Sequence, residues 1–262
     1  MNQLWHWQTR PGYSYLTCDL LAHWQHGFFS QLSYPQTPED LTSILQSQTK
    51  AFRVKQVHGN LVLSPEAITA KLNESDNMNK LAEADGVISN SPNQSVWAAS
   101  ADCTPVIVGD LTTGRVCAIH AGWRGTAQKI VSQAIIKFIE FGSQKADLRI
   151  AIGPAISGKM YQVDEHVAIE VGRSIVADSA IEPERLLNKL SELPNSPILP
   201  DNAPGKVRLD VPRVNHIQLE QLGIDPQQIA IAPYCTFKDS NYFFSYRRTG
   251  EKKVQWSGIV SK

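Results

Sequence analysis

Three side chains set far apart in the chain offer the donor atoms of a metal centre. They are His58 in Val57-His58-Gly59, Cys103 in Ala101-Asp102-Cys103-Thr104-Pro105, and His120 in Ile119-His120-Ala121-Gly122. Each stands beside glycine or proline at the expected end of a strand, where α/β folds present reactive side chains. Two imidazoles and a thiolate suit zinc. Three protein ligands leave a fourth position for water, which is the catalytic pattern rather than the closed structural one. Zinc in such a site lowers the pKa of its water toward neutrality. The gaps of 45 and 17 residues match no local finger pattern, so residue type carries this reading, not spacing. Each residue also has a plainer role open to it: a buried cysteine as a small apolar filler, a strand-end histidine bonded to a carbonyl.

Two further runs could hold an anion. His120-Ala121-Gly122-Trp123-Arg124-Gly125-Thr126 places two glycines around Trp-Arg ahead of a helix. That arrangement offers backbone N–H groups to an anion, with charge from Arg124 and a flat surface from Trp123. Its plainer reading is a turn that needs glycine torsions, with Trp123 in the core. Phe243-Phe244-Ser245-Tyr246-Arg247-Arg248-Thr249-Gly250 pairs two arginines, whose planar forks suit phosphate; its plainer reading is an amphipathic edge strand. Cys235 follows a strand and could line a pocket, whereas Cys18 and Cys117 read as structural. His6, His23, His26, His166 and His216 carry no such pattern, and His216 is expected in solvent.

The elements that must position these groups are legible in part. Thr37-Pro38-Glu39-Asp40 starts a helix with a hydroxyl, a proline and two acids. Val96 to Ser100 is a strand leading into Asp102-Cys103. Val106 to Val108 and Val116 to Ile119 flank Thr112-Thr113-Gly114 and read as a hairpin. Ala127, Ile130, Val131, Ala134, Ile135 and Phe138 repeat at helical spacing, with Gly142 as the stop. Ile150 to Ile152 and Ile229 to Ala232 read as strands. Asp164 is expected to cap a helix running to about Ala177, and Asp210 another that holds Pro212 and ends before Gly223. The polar segment 73–84 and the proline-rich segment 183–205 read as loops or insertions. Strands alternating with helices, plus a hairpin, predict an α/β fold with mixed sheets.

The whole chain bounds what these parts do. It has 262 residues, with 25 basic and 25 acidic side chains, and its 42% apolar content suffices for a sizeable core. One domain over 1–262 is expected. A net charge of zero gives no field to hold a nucleic-acid backbone or an anionic membrane. The N-terminal residues do not read as a signal peptide, and no apolar run is long enough to span a bilayer. Four cysteines without a C-x-x-C pair are expected as thiols. The expectation is a cytoplasmic protein.

Taken together, Gln56-Val57-His58-Gly59, Ala84-Asp85-Gly86, the Ala101 to Pro105 run, the His120 to Gly125 run, Ile152-Gly153-Pro154, Cys235-Thr236 and Phe243 to Arg248 resemble one family. It was first described as multicopper polyphenol oxidases, or laccase-domain proteins. Its members are now described as zinc-dependent purine nucleoside phosphorylases with adenosine deaminase activity, and some bacterial members as peptidoglycan-editing factors. The matches run in order from about residue 27 to 250. The resemblance implies a single-domain, four-layer α/β/β/α sandwich and zinc held by His58, Cys103 and His120. It implies phosphorolysis of adenosine, inosine or guanosine, and of methylthioadenosine, to base and sugar 1-phosphate, with deamination of adenosine to inosine. Purine nucleosides and phosphate are the partners so implied. On that reading Asp102 is the candidate proton shuttle, Arg248 the first choice for phosphate, and Arg124 the second. After Gly250 the family tends to continue Thr-Gly-Arg, where this chain has Glu251-Lys252-Lys253, so that arginine's role does not carry over.

Three other readings use the same residues. Copper oxidation is disfavoured, because seven histidines without a His-x-His pair are too few for several coppers, although copper's affinity lets it displace zinc. A cysteine hydrolase acting on a peptidoglycan precursor would use Cys103 as nucleophile with His58 or His120 as base. A nucleoside-binding module would keep the zinc as a purely structural ion.

Overall fold

The computed structural model describes residues 4–73, 81–178 and 180–262. Two six-stranded mixed sheets lie face to face. The first runs β1 (Trp5–Arg10), β2 (Tyr13–Cys18), β3 (His26–Phe29), β15 (Gln255–Val260), β7 (Gln94–Ser100), β4 (Lys50–Phe52). The second runs β14 (Ile229–Ile231), β10 (Leu148–Ile152), β8 (Thr104–Asp110), β9 (Val116–Ala121), β6 (Gly86–Ile88), β5 (Val62–Leu63). Both are antiparallel within; the first has a parallel pair at its β4 edge only, and the second has one at each edge. The expected hairpin is β8 and β9, with Asp110 accepting from the Thr112 and Thr113 N–H groups in the turn.

Alternation along the strands makes the layers. In β8, Ile107 points into the core between the sheets with Phe28, Val96 and Ile259. Val106 and Val108 point the other way, toward Ile130, Val131, Ile135 and Phe138 of α4 (Ile130–Glu140) and Leu219 of α7 (Val211–Gln221). Each of the four α4 side chains so buried contributes about 1.5–3 kcal/mol. On the far side, Trp97 and Phe29 receive Leu41 and Leu45 of α1 (Pro38–Leu45). The result is the four-layer α/β/β/α sandwich, a mixed α/β fold. A small antiparallel sheet of β11 (Gln162–Asp164), β13 (Lys206–Leu209) and β12 (Ile198–Pro200) packs beside it, with α5 (Glu165–Gly172) and α6 (Pro183–Ser191).

Four expectations need correction. The helix after Gly122 is two, α3 (Trp123–Ala127) and α4, broken at Lys129, whose φ of 60° is left-handed. Ala127 therefore packs against the small sheet's core, not against α4's partners. Helix α5 ends at Gly172, short of Ala177, and the Asp164 carboxylate takes the Lys206 ammonium in place of a cap. Segment 183–205 is not a loop: Pro183 opens α6, whose Leu186 and Leu190 are buried, and β12 follows. His216 is half-buried between Arg213 and Glu220, not solvated. Of the polar segment 73–84, Asn73 ends a helix, α2 (Pro65–Asn73), and residues 74–80 lie outside the described residues.

His26 gives the core a pH dependence. Its ring is buried, its Nδ1–H donates to the Trp24 carbonyl, and its Nε2 accepts from the Cys18 N–H. Burial holds its pKa below the usual value. The unfolded chain, near 6.5, therefore binds the proton first as pH falls, and stability drops through that window. An imidazolium also leaves the Cys18 N–H without an acceptor, a loss of about 1–3 kcal/mol. In urea unfolding from pH 8 to 5, the stability advantage of wild type over His26→Gln is expected to hold above pH 7 and to shrink by about that much at pH 5. A pH-independent difference would refute this.

Candidate metal centre

The three candidate ligands meet although they come from three segments. The β8–β9 register sets Thr104 opposite Ala121, so Cys103 leaves the sheet beside the end of β9 that carries His120. His58 lies in the connection between β4 and β5, in the left-handed region at φ 62°. One donor atom from each of His58, Cys103 and His120 lies within 4.8 Å of the others, and this is the one such group of three or more among the described residues. His120 is buried, Cys103 half-buried and His58 exposed, so the group opens to solvent on one side. The two imidazoles meet edge to face with centroids 4.8 Å apart.

Asp85 builds this corner. It immediately precedes β6, is 1% exposed, and its backbone carbonyl accepts from the His120 N–H. Its Oδ1 accepts from His120 Nδ1 at 2.9 Å and from the His58 N–H at 2.9 Å. Its Oδ2 accepts from the Gly59 and Val57 N–H groups at 2.7 and 3.2 Å. One carboxylate thus fixes the loop of one histidine and the tautomer of the other, leaving His120 Nε2 to face the thiol. Burial pushes Asp85 up, but the His120 and Gly59 N–H groups outweigh it and hold it below the usual carboxylate value. In the sequence, Ala84-Asp85-Gly86 assigns Asp85 no role. The available signal is an acid set between Ala84 and Gly86 at the start of a buried strand.

The electrostatics suit a divalent cation. Burial raises the Cys103 thiol, but hydrogen bonds and charge from His120 and His58 bring it down to about 6. Burial lowers His120, but Asp85 and the Cys103 thiolate carry it up to about 9. The thiolate is therefore formed at neutral pH, as a metal ligand must be.

Gly122 leaves room for these ligands. A Cβ there would stand 3.0 Å from Cys103 Sγ, 3.1 Å from His58 Cδ2 and 3.6 Å from His120 Cε1. Its φ is −68°, so close approach, not an unusual torsion, demands glycine. Gly122→Ala is expected to displace a ligand and weaken metal binding by about 10–100-fold, the range for disturbed ligand orientation. Titration against a chelating competitor measures this; wild-type affinity would refute the packing account.

The other candidate residues divide. A cavity of about 40 Å³ beside the thiol is lined by Asp102, Cys103, Thr104, Trp123, Ile156, Tyr161 and Val211 among others. Arg124 is exposed with its guanidinium 4.2 Å above the Trp123 ring, so both stand at this cavity. Asp102, at φ 86°, touches the cavity, but its two oxygens accept from Thr236 Oγ1 (2.6 Å) and the Arg247 N–H (2.7 Å), clamping distant segments to the cysteine turn. Residues 243–250 form no edge strand: a short helix, α8 (Tyr246–Thr249), ends them. There Arg248 donates to the carbonyls of Thr236, Phe237 and Phe243 and is consumed in holding that loop. Its neighbour Arg247 instead lies 4.9 Å over Tyr161, a cavity wall. The place of Tyr161 on this wall and the different surroundings of Arg247 and Arg248 follow from tertiary placement, which no local sequence pattern records. Cys235 stays out of the ligand group: it lines a separate cleft of about 410 Å³ and its Sγ accepts from the Ser157 N–H. The two spaces share a wall, Ile156 and Val211 facing the small one and Ser157 and Asp210 the large one.

Residues 36–261 match a family model described as multi-copper polyphenol oxidoreductase laccase. A purine nucleoside phosphorylase of Synechocystis sp. is 53% identical over 261 residues, 99% of this chain and 98% of that protein. One of Bacteroides thetaiotaomicron is 29% identical over 86% of this chain and 74% of its own length. The crystal structure of YlmD from Geobacillus stearothermophilus superposes with a TM-score of 0.79 at 21% identity, covering 99% of both chains, and that likeness concerns the fold.

Proposed function

The chain belongs to the family described as multi-copper polyphenol oxidoreductase laccase, and we propose that within it this protein is a zinc-dependent purine nucleoside phosphorylase that also deaminates adenosine. Curated relatives bear the name purine nucleoside phosphorylase. The observation that carries the reading is the convergence of His58, Cys103 and His120 with an ionised thiol and an open side. Two nitrogens and one thiolate, with His120 oriented by a carboxylate, are a zinc donor set. Chemistry with several coppers needs more centres than the single donor group among the described residues. When bound, zinc supplies Lewis-acid polarisation of water or of a purine ring atom.

The chain's own residues do the rest. A purine nucleoside, namely adenosine, inosine, guanosine or methylthioadenosine, binds at the mouth of the cavity, which admits a few water-sized groups and hence only the substrate's reacting edge. Trp123 offers an apolar face there. Phosphate is held by the Arg124 and Arg247 guanidiniums, which lie over Trp123 and Tyr161 of this wall, Arg247 also donating to the Gln162 carbonyl, and Arg248 holds the loop that precedes Arg247. Asp102 holds the cysteine turn in place, and with one hydrogen bond on each oxygen it keeps lone pairs with which to serve as the proton shuttle in deamination. No described helix is long and apolar enough to cross a membrane; purine nucleosides and phosphate are the proposed partners, and the cytoplasm is the proposed compartment.

One observation favours a second reading: a thiol near 6 between two imidazoles is also a nucleophile, as in a hydrolase of peptidoglycan precursors. A single assay separates the two. Protein of known zinc content is incubated with adenosine or inosine, with and without phosphate and chelator, and the products are separated by chromatography. Phosphate-dependent release of base that chelator abolishes is the expected result, with inosine formed from adenosine in the absence of phosphate. No product from zinc-loaded protein would reject the nucleoside reading. Amide cleavage that survives chelation would establish the hydrolase.

A further inference from the structure

Phosphorolysis leaves a negative charge on the departing purine, and a donor fixed where that charge gathers accelerates the step. Few groups on the cavity wall qualify. Ile156, Val211, Ala121 and Gly122 have no side-chain donor, both Asp102 oxygens act as acceptors, and the Thr104 hydroxyl, although without a partner, is on a residue wholly closed to solvent. Tyr161 is placed differently. Its N–H donates to the Ser157 carbonyl and its own carbonyl accepts from the Leu209 N–H, so its backbone is fixed between a loop and β13. The Arg247 guanidinium covers its ring, and no described residue takes its hydroxyl in a hydrogen bond.

We propose that the Tyr161 hydroxyl donates a hydrogen bond to N7 of the departing purine, and so acts as a catalytic residue. The inference rests on the phosphorylase reading. A phosphate oxygen forms the bond to C1′ as the C1′–N9 bond breaks, and its electron pair passes into the purine ring. The base leaves as an anion and later takes a proton from water; the phenol keeps its own. Burial first, then the charges of Cys103 and Asp102, push the phenol up to about 12 against Arg247 and Arg124. It is thus a permanent donor across the working range.

Tyr161→Phe deletes only the hydroxyl and retains the ring beneath Arg247. It is compared with wild type on inosine and on a 7-methylated purine nucleoside, whose base leaves neutral with N7 blocked. The expected result is a loss in kcat on inosine of about 100-fold, with unchanged metal content and KM for phosphate, and a loss of less than about 3-fold on the methylated substrate. Equal losses on both substrates, or none on inosine, would overturn the proposal. So would a leaving-group-dependent loss found only in Trp123→Phe, which assigns the donor to the indole. Wild type that releases no base with phosphate rejects the phosphorylase reading itself, and this inference with it.

Discussion

Cys103→Ala is expected to leave the protein folded, to weaken its metal binding at least about 1,000-fold, and to take phosphorolysis and deamination below detection. The size follows from the donor set. Two imidazoles remain, one exposed and one buried, and neither carries charge to a divalent cation when deprotonated. The thiolate is the only anionic donor of the three, already formed at neutral pH because both imidazoles hold it down near 6. A 1,000-fold loss corresponds to about 4 kcal/mol. The fold is spared because Cys103 lies in the turn between β7 and β8 and belongs to none of the four apolar clusters. Cys103→Ser sharpens the test: it nearly restores the volume but not the anion, so it too is expected to lose the metal. Elemental analysis after dialysis, with the product assay alongside, gives the answer. A fully active Cys103→Ala protein free of zinc would remove the metal from the mechanism. Metal-free Cys103→Ser with residual amide cleavage would point to nucleophilic catalysis.

How much of this was readable from the sequence depended on whether the deciding interaction is local. The β8–β9 hairpin was legible because β-branched alternation and an Asp-to-Gly turn are properties of adjacent residues. The start of α1 and the stop of α4 at Gly142 were legible for the same reason. The break at Lys129 was not, since apolar spacing continues across it while Ala127 turns toward a different core. Segment 183–205 misled through its prolines, yet Pro183 occupies a helix's first turn, where its missing N–H costs nothing. The three ligands were legible by type. Their convergence was not, because it depends on the pairing of β8 with β9 and on where the His58 connection is tied. Arg248 was the natural choice for phosphate as one of a pair. Which of two adjacent arginines donates to three carbonyls and which lies over Tyr161 is set by α8's placement, and no local pattern records it.

Asp85→Asn tests whether that tie makes the site. The native carboxylate accepts four N–H groups, two on each oxygen: His120 Nδ1–H and the His58 N–H on one, the Gly59 and Val57 N–H groups on the other. An asparagine of nearly the same shape keeps one accepting oxygen and replaces the other with an NH2 that points donors at donors. Whichever way the amide turns, one pair is left facing repulsion. If the amide oxygen stays with His120 and His58, the loop at Gly59 loosens. If it serves the loop, the imidazole loses the partner that fixed its tautomer. Hydrogen bonds to a charged acceptor are each worth about 1.5–3 kcal/mol, so both stability and geometry are expected to suffer. Zinc affinity should fall about 10–100-fold, less than in Cys103→Ala because all three ligands remain. The two effects separate experimentally: thermal unfolding of the metal-free variant reads the loop, and competition against a chelator reads the imidazole. Saturating zinc should then recover most of the activity of Asp85→Asn and none of that of Cys103→Ala, because an orienting group shifts an equilibrium that mass action can restore, whereas a missing thiolate removes the anionic donor the site depends on. Unchanged affinity and stability in Asp85→Asn would mean that the His58 loop and the His120 ring are held by other contacts, and that the buried carboxylate is a bystander.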